Sequence, residues 1–202
     1  DVVRARCPQA VQCADPFHVV KWATQALDEV RRQAWNEARK TGPVRRHGRV
    51  RADARGHAQQ LKHARYALWK NPEDLTDRQH HKLAWIAKAD PRLYRAYLLK
   101  EGLRYVFAVK GEAGKEALHR WLSWARRCRI PAFVDLARRL RRHLPAIHAT
   151  LDHGLSNGLI ESVNTKIRLI TRVAFGFQSP DALIALAMLS LGGHKPVLPG
   201  RP

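Results

Sequence analysis

The stretch QAVQCADPFHVVKW, from Gln9 to Trp22, predicts the first two elements of the fold. Residues 9–14 form a short, mostly apolar run that is compatible with a buried strand. Asp15 and Pro16 follow, and these residue types are favoured as the cap and as the first residue of a helix, respectively. Apolar residues then recur at steps of three and four over residues 17–40, which indicates an amphipathic helix. A strand followed directly by a long helix is therefore predicted.

Downstream of this helix the pattern changes twice. Residues 41–56 contain glycines, a proline and a run of basic residues, and they predict a loop that is either a phosphate-contacting segment or a solvated arginine-rich surface. Residues 57–150 carry apolar residues at helical spacing without strand-like alternation, which predicts an all-helical module. Helices are expected near 57–70, near 77–88 with Thr76 as cap, from Pro91 to Tyr105, over 112–128, from Pro131 to Leu144, from about Ser156, and over 180–191 with Ser179 as cap.

The charge of the chain indicates its kind of partner. It has 37 Lys and Arg against 17 Asp and Glu, a net charge of +20 and a pI near 11.0. Such a chain favours a polyanion, and nucleic acid, acidic lipid and the ribosome all fit the charge alone. No apolar run approaches the roughly 20 residues needed to cross a bilayer. The three cysteines do not suggest a disulfide framework, so a cytoplasmic protein is expected.

A second informative stretch runs from Ser156 to Arg172. On a helix Asn157, Glu161, Asn164 or Thr165, and Arg168 share one polar face, because they stand three or four residues apart. A carboxylate between amides and a guanidinium can hold Mg²⁺ against a phosphate, since this ion prefers oxygen ligands and Arg engages phosphate oxygens. The same stripe also fits an ordinary solvent-facing helix surface.

Asp15 is open to two interpretations of the same kind. A carboxylate at the end of a short strand lies where catalytic groups often project from α/β sheets. It also fits a plain helix cap.

Two strings, in this order, resemble segments of the ISL3 family of insertion-sequence transposases. ADPFHVVK, residues 14–21, resembles the family's D-x-F-H-V segment around its second Asp. SNGLIESVNTKIR, residues 156–168, resembles its S-N-G-x-x-E-x-x-N-x-x-I-[KR] segment around the final Glu, and Arg172 with the FGF at 175–177 resembles the continuation. The segments WKNPEDL, residues 69–75, and AYLLKE, residues 96–101, also resemble family segments, so the likeness spans nearly the whole chain.

The resemblance implies a DDE transposase, in which three carboxylates of a ribonuclease-H-like core hold two Mg²⁺ (or Mn²⁺) ions. The metals activate water or a DNA 3′-hydroxyl for in-line attack on a phosphodiester. By position, Asp15 would be the second Asp and Glu161 the Glu. The residues that the resemblance and the helix face suggest for DNA contact are Asn157, Asn164, Lys166, Arg168 and Arg172.

The expected fold class is mainly α in this fragment, with a partial ribonuclease-H-like α/β core and a large all-helical insertion. Four parts are expected. Residues 1–40 would be a partial core, 41–150 the basic loop and helical insertion, 151–192 the final core helices with the catalytic Glu, and 193–202 a flexible tail.

The family's first Asp lies further upstream than the fourteen residues before Asp15 allow. The chain is therefore expected to be a C-terminal part that is inactive by itself. The alternative is a non-catalytic basic DNA- or RNA-binding helical protein derived from a transposase. Expected partners are the DNA of transposon ends and target, and a second copy when the enzyme is intact, without a membrane or a small-molecule substrate. Localisation would be cytoplasmic, at the nucleoid.

The six tryptophans fall mostly on apolar helical stripes, where core packing is the first expectation. Base stacking by one or two of them, such as Trp124 beside Arg126 and Arg127, is the alternative.

Overall fold

The computed structural model describes residues 5, 8–40, 45–46, 49–50, 53–154 and 158–191, and within 45–55 and 158–161 it describes the backbone alone. The chain divides into two compact units, Asp1–Leu155 and Ser156–Pro202.

The first unit is a bundle of helices. Its helices are α1 Pro16–Lys40, α2 Asp53–Lys62, α3 Arg65–Trp69, α4 Asp77–Ala89, α5 Pro91–Val109, α6 Gly111–Arg127, α7 Pro131–Arg142 and α8 Leu144–His153. A 3-10 turn, Pro72–Asp74, follows α3, and the two-residue strands β1 Arg45–Arg46 and β2 Arg49–Val50 pair antiparallel. The second unit has α9 Gly158–Val173 and α10 Pro180–Leu191.

Helix α1 lies at the centre of the first unit. It packs against α2, α3, α5 and α7, while α6 packs against α5, α7 and α8. This arrangement follows from the apolar stripe of α1, because residues spaced three and four apart face the same side of a helix. The hydrophobic residues that α1 buries are Val19, Ala23, Ala26, Leu27, Val30 and Ala34.

Several helix starts are fixed by the residues that the sequence indicates. Thr76 and Gln79 form a reciprocal capping box at the start of α4. The side chain of Asp90 accepts a hydrogen bond from the Leu93 N–H at 2.9 Å, which caps α5 before Pro91. Because these contacts satisfy backbone donors that lack a partner within the helix, they define where each helix begins. The predicted starts of α4 and α5 are confirmed.

The predicted strand at residues 9–14 is wrong. Residues 10–15 have no regular secondary structure, and the side chain of Val11 is 62% exposed. The segment is tied instead to α8, since the Ala14 N–H donates to the Ala146 carbonyl at 2.9 Å and the Thr150 hydroxyl donates to the Ala14 carbonyl at 2.6 Å. A strand needs a ladder of such bonds to a neighbouring strand, and in the described residues this segment pairs with a helix.

Two predicted helices are divided in the structure. The segment expected as one helix near 57–70 consists of α2, which begins earlier at Asp53, and α3, which begins at Arg65. No proline or glycine marks the break between them. The helix expected to continue to Leu144 ends at Arg142, and a separate helix, α8, begins at Leu144. The second break has a clear cause, because Pro145 lacks an N–H and its ring clashes with a preceding helical turn.

The described residues of the second unit, 158–191, form two helices that contact each other. The Ala182 N–H donates to the Ser179 hydroxyl oxygen at 3.2 Å, so the predicted cap of α10 is confirmed. The turn between the helices contains Phe175 with φ 53° and Gly176 with φ 104°. The predicted start near Ser156 and the predicted tail at 193–202 lie outside the described residues.

The mainly helical class is confirmed, since the strands of the described part are limited to one two-residue pair. The ribonuclease-H-like core and the four-part division of the chain stay predictions. None of the helices in the described part is both long and apolar enough to cross a membrane.

Candidate functional site

Asp15 occupies the N-terminal end of α1. One carboxylate oxygen, Oδ1, accepts a hydrogen bond from the Phe17 N–H at 2.8 Å, and the Asp15 carbonyl accepts the first helical bond from the Val19 N–H at 3.1 Å. This is the geometry of a helix cap. The interpretation as a cap is therefore confirmed, and the carboxylate is held in a fixed position while its side chain remains 31% exposed.

His18 contacts the second oxygen of the same carboxylate. Its ring nitrogen Nδ1 touches Asp15 Oδ2, and its side chain is 62% exposed. No role is predicted for His18 from the sequence, although its spacing of three residues from Asp15 on a helix places the two side chains together. A protonated Nδ1 donates to the carboxylate and so orients it.

The carboxylate of Asp15 suits a divalent ion in chemistry, because Mg²⁺ and Mn²⁺ prefer carboxylate oxygens. A stable site needs further ligands. Among the side chains that the structure describes, no three His, Cys, Asp or Glu residues are grouped closely enough to hold a metal ion. Glu161 belongs to α9 by its backbone, but its side chain lies outside the described part. Of the two predicted metal ligands, Asp15 is therefore the one whose side chain the structure describes.

An aromatic and basic patch follows Asp15 along α1. Trp22 stands seven residues after Asp15, two helical turns away on the same side. The Arg139 guanidinium lies 3.7 Å from the centre of the Trp22 ring, and the His143 ring lies 5.8 Å from it. Stacking on the indole holds the charge of Arg139 near this side of the helix.

The predicted DNA-contact residues of α9 are largely exposed. Asn164, Lys166, Arg168 and Arg172 all have exposed side chains, and Asn157 lies outside the described residues. Arg168 and Arg172 line a recess of about 430 Å³ together with Thr165 and Leu169.

The spacing along α9 separates these residues into two groups. At about 100° per residue, Arg168 and Arg172 lie within roughly 20° of the direction of Glu161, whereas Lys166 is turned from it by roughly 140°. The two arginines therefore lie on the same side of α9 as Glu161, about 10 and 16 Å further along the helix axis, and Lys166 faces another side. Asp15 and Glu161 belong to different units.

A charged network joins the two middle segments that resemble the family. The buried Lys100 ammonium donates to the carbonyls of Leu68 at 3.0 Å and Lys70 at 3.3 Å, and it pairs with Glu101. Burial lowers the pKa of Lys100, and the neighbouring Glu101 carboxylate acts against that effect.

Arg104 completes the network. It binds both oxygens of Glu73, at 2.6 and 2.8 Å, and also contacts Glu101 at 2.9 Å. The hydrogen bonds from Arg104 lower the pKa of Glu73. Burial, followed by the negative charge of Glu101, raises the pKa of Tyr97 to about 12. The network fixes the turn at 70–74 onto α5.

The chain is basic and mainly helical, and it exposes Arg168 and Arg172 on α9, the helix that contains Glu161. These features are typical of proteins that bind nucleic acid. A family model described as a transposase, that of the ISL3 family, matches residues 1–187. The chain therefore belongs to the ISL3 family of transposases.

Three relatives show the same likeness. The transposase for insertion sequence element IS1557, from two strains of Mycobacterium tuberculosis, is 69% identical over 209 residues, which cover 100% of this chain and 47% of the relative. The transposase for insertion sequence element IS1001, from Bordetella parapertussis, is 28% identical over 181 residues, covering 89% of this chain and 41% of the relative. The chain thus spans about half the length of the curated relatives it matches. No solved structure matches it significantly.

Proposed function

We propose that this chain supplies part of a DDE transposase that cleaves phosphodiesters and transfers DNA strands with the help of divalent metal ions. The observation that carries the proposal is the family match over residues 1–187, which includes Asp15 and Glu161 in the expected order. The partners are the DNA of transposon ends and of the target. The intact enzyme acts as a homodimer.

In this proposal Asp15 and Glu161 hold the metal ions. When bound, the ions activate the attacking hydroxyl and stabilise the leaving oxygen. The contribution of Asp15 is a carboxylate at a fixed position, since Oδ1 is bound to the Phe17 N–H and Oδ2 is oriented by His18. The third carboxylate belongs to a segment on the N-terminal side of Asp15.

The arginines of α9 hold the DNA beside Glu161. Arg168 and Arg172 are exposed and line one recess, so two guanidinium groups are available to the oxygens of neighbouring phosphates. Asn157 and Asn164 donate amide hydrogens to the same backbone. Lys166 meets a different phosphate, because it lies on another side of the helix.

Cleavage by a completed chain tests the proposal. The chain is joined to the part of the Mycobacterium tuberculosis relative that the match leaves uncovered, and nicking of a DNA carrying the ends of that relative's element is measured with Mg²⁺. We expect nicking that a metal chelator abolishes and that Glu161→Gln and Asp15→Asn each reduce by at least a hundredfold.

Two matched variants serve as controls. Glu116→Gln and Asp135→Asn neutralise exposed carboxylates elsewhere in the first unit and should leave nicking unchanged. Nicking that persists at the parental rate in Glu161→Gln would show that the assignment is wrong. A completed chain that binds DNA but never cuts it favours the alternative, a DNA-binding protein without catalysis.

A further inference from the structure

A shallow recess opens between α5 and α6 of the first unit, away from the residues of the proposed catalytic site in sequence. Its volume is about 390 Å³, within the range of small-ligand sites. The recess is lined by Gly102, Tyr105, Ala117, Arg120, Trp121 and Trp124.

The floor of the recess is held rigidly. Trp121 is 3% exposed, and its indole N–H donates to the Leu99 carbonyl at 2.7 Å. Gly102 lets the two helices approach here, since a Cβ at this position would lie 3.2 Å from Trp121 Cδ1 and 3.4 Å from Trp124 Cζ3. The recess is therefore formed before any ligand arrives.

Two large aromatic side chains border the recess and face solvent. Tyr105 is 62% exposed and Trp124 is 38% exposed. Neither makes a hydrogen bond or a ring–ring contact with another residue of the described ranges. Covering rings of this size removes a large apolar surface from water, so a ligand that stacks another flat apolar surface on them would be stabilised.

The charge around the recess suits an anion. Arg120 lines it and forms no ion pair with any residue in the part of the chain that the structure describes. On the far side of Tyr105, the carboxylates of Glu73 and Glu101 are both bound by Arg104. These carboxylates are neutralised where they stand and do not oppose the positive charge of Arg120.

We propose that this recess binds an unstacked base of single-stranded DNA, with the base against Trp124 and Tyr105 and Arg120 on the adjoining phosphate. The inference rests on DNA as the partner, which is part of the proposed function. A base inside a duplex has both faces covered, whereas a single strand offers them to aromatic rings. A second protein copy fits less well, because a stable protein interface buries more than about 1,000 Å², whereas this recess is lined by six residues.

Abasic DNA separates base stacking from phosphate binding. The chain is titrated with a single strand of about 12 nucleotides and with the same strand carrying three consecutive abasic positions, since sites of this kind cover roughly 4–16 nucleotides. Both strands keep every phosphate. We expect the parent to bind the intact strand about tenfold more tightly than the abasic strand. The double variant Tyr105→Ala with Trp124→Ala should bind the two strands equally.

Tyr66→Ala is the matched control, because Tyr66 is 65% exposed on α3 and is not among the residues that line the recess. It should keep the tenfold preference. Equal binding of both strands by the parent, or an unchanged preference in the double variant, overturns the proposal for the recess while leaving DNA binding in place. Absence of any DNA binding would contradict the proposed function itself.

A measurement on the parent chain covers the case in which the double variant does not fold. A single strand containing 5-iodouracil is irradiated in the complex, and the adducts are mapped by mass spectrometry. Adducts on the peptides that hold Tyr105 or Trp124 support the proposal. Adducts confined to other parts of the chain, or dimerisation through α5 and α6 that blocks DNA, overturn it.

Discussion

At the scale of single residues, Asp15 combines a structural and a proposed chemical role. Its Oδ1 caps α1, and its Oδ2 contacts His18. An experiment on Asp15 must therefore separate loss of a cap from loss of a metal ligand. Asn and Asp cap helices about equally well, whereas Ala does not.

The first prediction uses this difference. Asp15→Asn should change the free energy of unfolding of the chain by no more than a few tenths of a kcal/mol, and Asp15→Ala should lower it by about 1 kcal/mol. Urea unfolding of the three chains measures both values. Equal losses of stability in the two variants would show that the cap does not depend on the side-chain oxygen.

Lys100 leads to a second prediction at this scale. Its ammonium is buried and satisfies two backbone carbonyls and Glu101. Lys100→Met should lower the free energy of unfolding by about 1–3 kcal/mol, because it leaves two buried carbonyls without their donor. Glu101 loses one cation but keeps its contact with Arg104. Lys88→Met, on the exposed side of α4, should change it by no more than about 0.5 kcal/mol. Equal midpoints for both variants in urea would contradict this role.

At the scale of elements, helix periodicity predicted more than short apolar runs did. The stripe of α1, the caps Thr76 and Ser179 and the start of α5 at Pro91 act within one or two turns, so the sequence contains the information needed to place them. The capping contact of Asp90 was found in the structure. The strand predicted at 9–14 is wrong because a run of six residues, four of them apolar, does not specify a partner, and the segment binds α8 instead. The Tyr105–Trp124 recess joins two helices, so only the fold could show it.

The contact of α6 with α8 leads to a prediction about pH. The His148 ring lies 5.6 Å from the His119 ring, and the Nε2 atom of His148 is buried. The charges of Lys115, Asp152 and Glu112 also affect the pKa of His148. Burial first, and then the charges of His119 and Lys115, lower the pKa of His148 below its usual 6.5.

The unfolded chain therefore binds more protons than the folded one just below pH 6.5, and stability falls as pH decreases through that window. His148→Phe should remove this contribution. Unfolding midpoints of the parent and of His148→Phe are measured from pH 8 to 5. The two curves should diverge only below about pH 7, where the parent should lose more stability than the variant. Parallel curves, or a steeper loss in the variant, would contradict the assignment.

At the scale of the whole molecule, the net charge of +20 should control affinity for DNA. Phosphate contacts release counterions, so the logarithm of the binding constant should fall linearly with the logarithm of salt concentration. The double variant Asp15→Asn with Glu161→Gln should bind DNA at least as tightly as the parent with a similar slope. Arg168→Ala should lower the magnitude of this slope by about one, because one phosphate contact is lost. Salt-independent binding would contradict an electrostatic interface.

The proposed function, which rests on the family match, requires Asp15 and Glu161 to hold the same metal ions in the completed enzyme. The completed chain is loaded with Fe²⁺ in place of Mg²⁺ and treated with ascorbate and peroxide, so that radicals cut the backbone near the bound ion. We expect cuts close to both residue 15 and residue 161, and we expect Asp15→Asn or Glu161→Gln to abolish both sets. Cuts near only one of the two residues, or two sets that respond independently to the substitutions, would contradict this requirement.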